Sequence, residues 1–266
     1  MAAVETTLGQ ARAAGRPSLV TYVTGGMRAD WTDLLTAMID AGADAVEIGL
    51  PFSDPMLDGP AIQRASDAAL GRGATPASIL AQLERVDSGG VPLIAMAYAN
   101  HAYRHGLGNY CQQLAGAGIS GTIIPDLPAA EAGDYIDAAR DAGLDATLMV
   151  TPATPEPDIA AIAARSRGFL YVMSVMATTG TTSESADDER WTVAARARRH
   201  SSRPVLIGFG IDTPGRAAAA AGHADGVVVA SALMRQVLDG ATVGDISRAV
   251  ADLRAALDQA WRCAAR

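Results

Sequence analysis

Short apolar runs rich in β-formers recur along the chain, and the segments between them carry apolar residues at helical spacing. The runs are Leu19–Gly26, Ala45–Phe52, Pro92–Ala99, Gly121–Pro128, Ala146–Pro152, Gly168–Val175, Val205–Ile211 and Gly226–Leu233. Hydrophobicity that is continuous rather than alternating marks strands buried on both faces, as in a parallel sheet. Several intervening helices end on an Ala-Gly pair shortly before a strand: Ala41-Gly42, Ala117-Gly118, Ala142-Gly143 and Ala221-Gly222. Glycine there supplies a left-handed C-cap that turns the chain back toward the sheet. The punctuation repeats as a degenerate series of βα units, and eight such units close into a (β/α)8 barrel of the TIM type. No Ser/Gly-rich or charged linker interrupts it, so residues 1–266 read as a single α/β domain.

Composition narrows the function classes. Of 266 residues 49% are hydrophobic, ample for one large core, and α/β barrels routinely reach this length as one domain. The net charge of −8 and the lack of a basic block exclude nucleic acid and anionic membrane as partners. The first residues form no apolar signal core, and no run is long enough to span a bilayer. Two cysteines, Cys111 and Cys263, make no disulfide framework. The expected location is the cytoplasm.

The richest segment is Asp44-Ala-Val-Glu-Ile-Gly-Leu-Pro-Phe-Ser-Asp-Pro-Met-Leu-Asp-Gly-Pro-Ala-Ile-Gln63. It sets Glu47 inside an apolar strand and Asp58 at the mouth of the following loop. A carboxylate buried without a partner costs several kcal/mol or gives up its charge. The segment closely resembles the signature of the tryptophan synthase α subunit family, Glu-x-Gly-x-Pro-Phe-Ser-Asp-Pro-x-x-Asp-Gly-Pro-x-Ile-Gln, and meets nearly every fixed position. The resemblance implies an aldolase-type lyase on a TIM barrel. It also implies a short extra helix at Thr6–Ala14 covering the N-terminal end of the barrel, and a long outer helix over Arg235–Arg262.

In TIM barrels the active site lies at the C-terminal ends of the strands. If Val46, Ile48 and Leu50 face the helices, then Ala45, Glu47 and Gly49 face the barrel interior. The plainer reading of Glu47 is a carboxylate satisfied by a buried polar network; the motif favours catalysis. Burial raises its pKa and suits it to exchange protons near neutral pH. Asp58 precedes Gly59-Pro60, and proline is favoured at the first helical position. A nearby helix N-terminus stabilises the Asp58 anion, which also suits it to act as a helix cap. Two carboxylates with pKa values pushed apart match divided acid and base roles. For Pro51 and Asp54 the resemblance implies loop order and partner contact.

Gly208-Phe209-Gly210-Ile211 follows the seventh run, and Ala230-Ser231-Ala232 follows the start of the eighth. Loops at these two strands, with a helix N-terminus, make the usual barrel phosphate site. The resemblance implies phosphate contacts from Gly180, Phe209, Gly210, Ala230 and Ser231, and indole-3-glycerol phosphate as substrate. The implied reaction is retro-aldol cleavage to indole and glyceraldehyde 3-phosphate. Glu47 would protonate indole C3 and take the glycerol hydroxyl proton, while Asp58 accepts a hydrogen bond from the indole N–H. Tyr22, Tyr98 and Tyr171, on strands one, three and six, fall where the family lines its pocket, although tyrosine on a strand is more often core.

The chain contains no lysine, so a Schiff-base aldolase mechanism is excluded. Of the four histidines, His101, His105, His200 and His223, only the first two are close, and that pair reads as structural or surface. Neither a metal nor a cofactor is expected; the indole ring serves as electron sink.

Departures from the family pattern cluster on the rim. The strand-six loop reads Ser174-Val175-Met176-Ala177-Thr178-Thr179-Gly180 where the family has Ser-x-x-Gly-Val-Thr-Gly, keeping Thr179, which meets Asp58 when the loop closes. Strand one ends Thr24-Gly25-Gly26-Met27-Arg28, without the usual Asp-Pro. The strand-four loop, Asp126-Leu127-Pro128-Ala129-Ala130-Glu131, lacks an acidic pair, and Ala230 replaces a glycine. The family docks its β subunit on this rim. Three readings follow: an α subunit paired with a β subunit, a free-standing indole-3-glycerol phosphate lyase, and a catalytically silent regulatory partner of a β-type subunit. Retention of Glu47, Asp58 and Thr179 argues against the last.

Overall fold

The computed structural model describes residues 4–173, 184–208 and 210–264. Eight parallel strands close a barrel in the order β1 to β8: β1 Ser18–Thr24, β2 Ala45–Gly49, β3 Leu93–Met96, β4 Gly121–Ile123, β5 Asp145–Val150, β6 Leu170–Val172, β7 Val205–Ile207 and β8 Gly226–Val229. Around and between them run α1 Val4–Ala13, α2 Trp31–Asp40, α3 Pro60–Gly71, α4 Pro76–Leu83, α5 Ala99–Arg104, α6 Leu107–Gly116, α7 Gly133–Asp141, α8 Glu156–Arg165, α9 Glu184–His200, α10 Pro214–Ala220, α11 Ser231–Leu238 and α12 Val243–Ala264. No helix among the described residues is long and apolar enough to cross a membrane.

All eight expected runs become strands, but each ends two or more residues early. The ladder stops where Pro51, Pro125 and Pro152 follow, because proline has no N–H to donate. The apolar residues beyond these points line the mouth of the barrel rather than its wall. The Ala-Gly caps hold at Gly42, Gly118 and Gly143, all with positive φ. Gly222 does not share that conformation: its N–H bonds to the Ala219 carbonyl and the chain keeps turning through Ala224. The single outer helix expected over Arg235–Arg262 is instead α11 and α12, broken at Gly240 with φ +94°.

Inside the barrel, Val20, Ala45, Ile94, Ile123, Phe169, Leu206 and Val228 form one buried cluster. Val4 and Leu8 of α1 complete it from below, so the extra N-terminal helix plugs the barrel. It begins at Val4 rather than Thr6. Polar contacts pin it there: the Glu5 N–H donates to Asp145 (2.9 Å), and Glu5 pairs with Arg203 (3.1 Å). Val46 and Ile48 belong to the larger outer cluster beneath the helices. At the foot of β2, Asp44 accepts the Leu19 N–H (2.8 Å) and pairs with Arg16 and with Arg254 of α12 (3.2 Å).

The barrel is sealed where Ser18 of β1 lies opposite Gly226 of β8. A Cβ on residue 226 would sit 2.4 Å from the Ser18 carbonyl oxygen and 2.8 Å from its nitrogen, both backbone atoms that cannot swing aside. Gly226→Ala therefore destabilises the fold by about 1–3 kcal/mol, the usual range for overpacking. Urea unfolding measures it, and an unchanged midpoint would contradict this account of the seam.

Candidate active site

Glu47 lies in β2, opposite Tyr22 of β1 on one side and Ile94 of β3 on the other. Strand alternation aims it inward, in line with its neighbour Ala45 in the interior cluster. It is 1% exposed, and among the described residues neither carboxyl oxygen has a hydrogen-bond partner. The described residues supply no polar network for Glu47, which favours the catalytic reading over the plainer one. Burial alone pushes its pKa up to about 8, so near neutral pH it carries a proton.

Asp58 sits at the end of the loop between β2 and α3. It does not cap α3: the N-cap is Gly59, one residue further on, and glycine has no side chain to cap with. Its Oδ2 instead accepts a hydrogen bond from the Tyr98 hydroxyl (3.1 Å). Burial raises its pKa to about 6 even though that hydrogen bond acts to lower it. The expected stabilisation of the anion by the helix terminus is outweighed by dehydration. Even so, Asp58 stays mainly ionised at pH 7, with Glu47 above it on the pKa scale.

The rest of the signature segment builds the loop. Pro51 is buried, Phe52 stacks on Tyr98 (centroids 5.1 Å), and His101 meets Phe52 edge-on (5.4 Å). Ser53 donates to the exposed Asp54 (2.6 Å). The Gln63 amide reaches back from α3 to the Asp58 carbonyl (2.9 Å). Tyr98 is not on strand three as expected; it is the N-cap of α5, two residues past β3. That displacement brings its hydroxyl over the loop, where it also accepts the Leu57 N–H (3.0 Å). Asp126 fixes the start of α5 by accepting the Ala99 N–H (2.8 Å), a role that the sequence left unassigned.

Tyr22 and Tyr171 lie on β1 and β6 as expected, both buried. Each needs a glycine beside it. A Cβ at Gly49 would fall 1.8 Å from the Tyr22 hydroxyl oxygen, and one at Gly208 would fall 2.0 Å from that of Tyr171. Gly208 thus serves ring placement, and its N–H is engaged with the Val172 carbonyl (3.2 Å).

One cavity at the top of the barrel joins Glu47 and Asp58 with Tyr22, Tyr171, Gly208 and Ala230. It also has an apolar wall that sequence reasoning missed: Leu57, Ile62, Met96, Pro125, Met149 and Met173. The available signal was the methionines, one in each of the third, fifth and sixth apolar runs. On the other side, Ala230 is the N-cap of α11 and Ser231 its first residue, and alanine has no side-chain acceptor to cap the first turn. Unpaired helix-terminal N–H groups bind anions well. Ala230 has a negative φ, so alanine fits where the family pattern has glycine. Gly210 needs its φ of +72°, and its carbonyl accepts Arg216 (3.3 Å). Thr179, Gly180 and Phe209, with the altered loop at Ala177 and Thr178, lie outside the described residues.

Comparison with known proteins agrees with this geometry. The family described as "Tryptophan synthase alpha chain" matches residues 8–260. The tryptophan synthase alpha chain of Thermobifida fusca is 37% identical over the full length of both chains, and that of Dehalococcoides mccartyi is 39% identical over 91% of this chain and 96% of its own. A solved Mycobacterium tuberculosis tryptophan synthase chain superposes with a TM-score of 0.88 at 32% identity, covering 97% of this chain and 99% of the other. The Legionella pneumophila alpha subunit gives 0.87 at 29% identity, with the same coverage.

The buried carboxyl carries a stability signature. Its pKa is raised in the folded protein, so between about pH 4.5 and 8 the folded state holds a proton that the unfolded state has lost. Stability from this group is present at low pH and declines as pH rises, by about 1.4 kcal/mol per unit. Relative to the parent, Glu47→Gln should gain that amount per pH unit across this window in chemical unfolding. A pH-independent difference would mean that Glu47 is not dehydrated.

Proposed function

The chain belongs to the tryptophan synthase alpha chain family, and we infer that it cleaves indole-3-glycerol phosphate to indole and glyceraldehyde 3-phosphate. The observation that carries this reading is the fully buried Glu47, without a hydrogen-bond partner among the described residues, sharing one cavity with an Asp58 held by Tyr98.

In this reading Glu47 gives its proton to indole C3, forming an indoleninium. Asp58 accepts the indole N–H and stabilises the charge that develops on the ring. Glu47, now a carboxylate in a dry site, takes the proton from the glycerol hydroxyl beside the scissile bond. The C–C bond breaks, its electrons return to the ring nitrogen, and aldehyde and indole separate. The ring is the electron sink, so a chain without lysine can perform the cleavage without an added cofactor. The first turn of α11, through Ala230 and Ser231, with Gly210, Phe209 and Gly180, receives the phosphate. Tyr22, Tyr98 and Tyr171 shape the pocket, and Thr179 meets Asp58 when the strand-six loop closes.

The α chain works with a β subunit in the synthase complex. Asp54 is assigned to the docking rim, a placement supported by exposed Met56 (80%) and Leu57 (38%) on the same loop, whereas Pro51 is buried and serves loop order rather than partner contact. Residues 1–266 act as one barrel domain, supported by the closed sheet and the α1 plug. The free thiols Cys111 and Cys263 suit a reducing cytoplasm.

Activity requires Glu47 protonated and Asp58 ionised. The kcat/KM profile on indole-3-glycerol phosphate should rise through about pH 6 and fall above about pH 8. Tyr98→Phe removes the hydrogen bond that lowers the Asp58 pKa and should move the acidic limb upward; a limb that stays in place would detach Tyr98 from Asp58. Glu47→Gln should lose at least ~10³-fold in kcat, since general acid–base catalysis contributes ~10²–10⁴-fold per transfer. Near-normal turnover of the folded Gln variant would end the mechanism.

Adding a β subunit should raise kcat of the isolated chain, because a partner that binds the closed loop better shifts it toward closure. Indole release followed with and without the partner measures this; no stimulation would favour a free-standing lyase.

A further inference from the structure

The positions around the barrel mouth divide the cavity by chemistry. Asp58 follows β2, and Gly208 and Ala230 follow β7 and β8. The remaining arc presents Met96 from β3, Pro125 after β4, Met149 from β5 and Met173 after β6. On the assignment above, phosphate lies at one side and the indole N–H at Asp58, so the benzenoid ring falls on this methionine arc. All three methionines are only partly buried and pack on top of the interior cluster.

Behind the arc lies a second cavity of about 290 Å³. Pro125, Met149 and Met173 line both spaces, so they form a partition between them. The far side of that cavity joins apolar Leu127, Ala129, Leu148 and Ile162 to polar Asp126, Thr151 and Thr154, so an apolar group entering past the methionines meets the aliphatic walls first. Methionine is unbranched, with three rotatable bonds, and yields to its neighbours more readily than β-branched residues do.

We propose that this side cavity is a substituent subsite, through which the enzyme accepts indole-3-glycerol phosphates carrying small apolar groups on the benzenoid ring. This rests on the function inferred above. A substituent displaces the Met149–Met173 partition and enters space that already exists, instead of forcing a close-packed core to open. A rigid apolar pocket discriminates one methylene by roughly 10–200-fold; here the penalty falls below that range for the ring position facing the partition.

The test compares kcat/KM for the parent substrate and for its 4-, 5-, 6- and 7-methyl and chloro analogues, measured by formation of the corresponding indole. At least one analogue should come within about tenfold of the parent substrate. Ala129→Leu fills the side cavity from its far wall without lining the catalytic cavity. It should leave parent turnover within about twofold and lower turnover of the accepted analogue at least tenfold. Ile162→Phe makes the same comparison from α8 should Ala129→Leu fail to fold. Normal parent turnover with every analogue down by more than about tenfold overturns the subsite alone, as does a variant that slows parent and analogue equally. No turnover of the parent substrate overturns the functional reading on which the proposal rests.

Discussion

A carboxyl group buried inside an apolar barrel is the constraint on which the site depends. Glu47 stays in place because β2 is paired on both sides and its strand neighbours are packed beneath helices. Water cannot reach it from below, where α1 fills the floor with Val4 and Leu8. Dehydration then turns an ordinary carboxylate into a weak acid that keeps its proton near neutral pH. A hydrogen-bond partner for its anion would lower that pKa and remove the acid. That the described residues offer it none is therefore part of the chemistry.

The second carboxylate is handled differently. Asp58 rides on a loop whose shape comes from a stack of Phe52 on Tyr98, a Gln63 amide folded back on its carbonyl, and an α5 start anchored by Asp126. Tyr98 keeps one hydroxyl hydrogen aimed at it. Partial dehydration lifts its pKa, but not far enough to discharge it at pH 7. A rigid strand thus supplies the proton carrier and a braced loop supplies the anion.

Much of this could be read from the chain, for physical reasons that differ by element. Strands buried on both faces appear as continuous apolar runs, so all eight were visible, along with the inward aim of Glu47. Their ends were not visible, because the loops at the barrel mouth are apolar too and only the prolines mark the change. The break at Gly240 was hidden by apolar spacing that continues across it. Tyr98 was placed on a strand because its true role depends on a contact with Asp58, 40 positions away. The direction of the Asp58 shift was misjudged for a similar reason: a helix terminus is local and legible, whereas dehydration is set by what packs nearby. The methionine wall went unnoticed because single apolar residues in apolar runs carry no local signal.

The seam between Ser18 and Gly226 also bears on how the molecule comes into being. During synthesis β1 emerges early, yet its second neighbour, β8, is completed only at Val229. Until then β1 presents an open edge of unpaired N–H and C=O groups, the surface on which nascent chains pair wrongly with one another. Helix α1 shares the delay, since its anchors Asp145 and Arg203 lie far downstream. Closure brings together distant parts of the chain, which slows folding and places barrel closure after translation of all eight strands. In living cells the step most in need of protection from aggregation is the wait for that last strand.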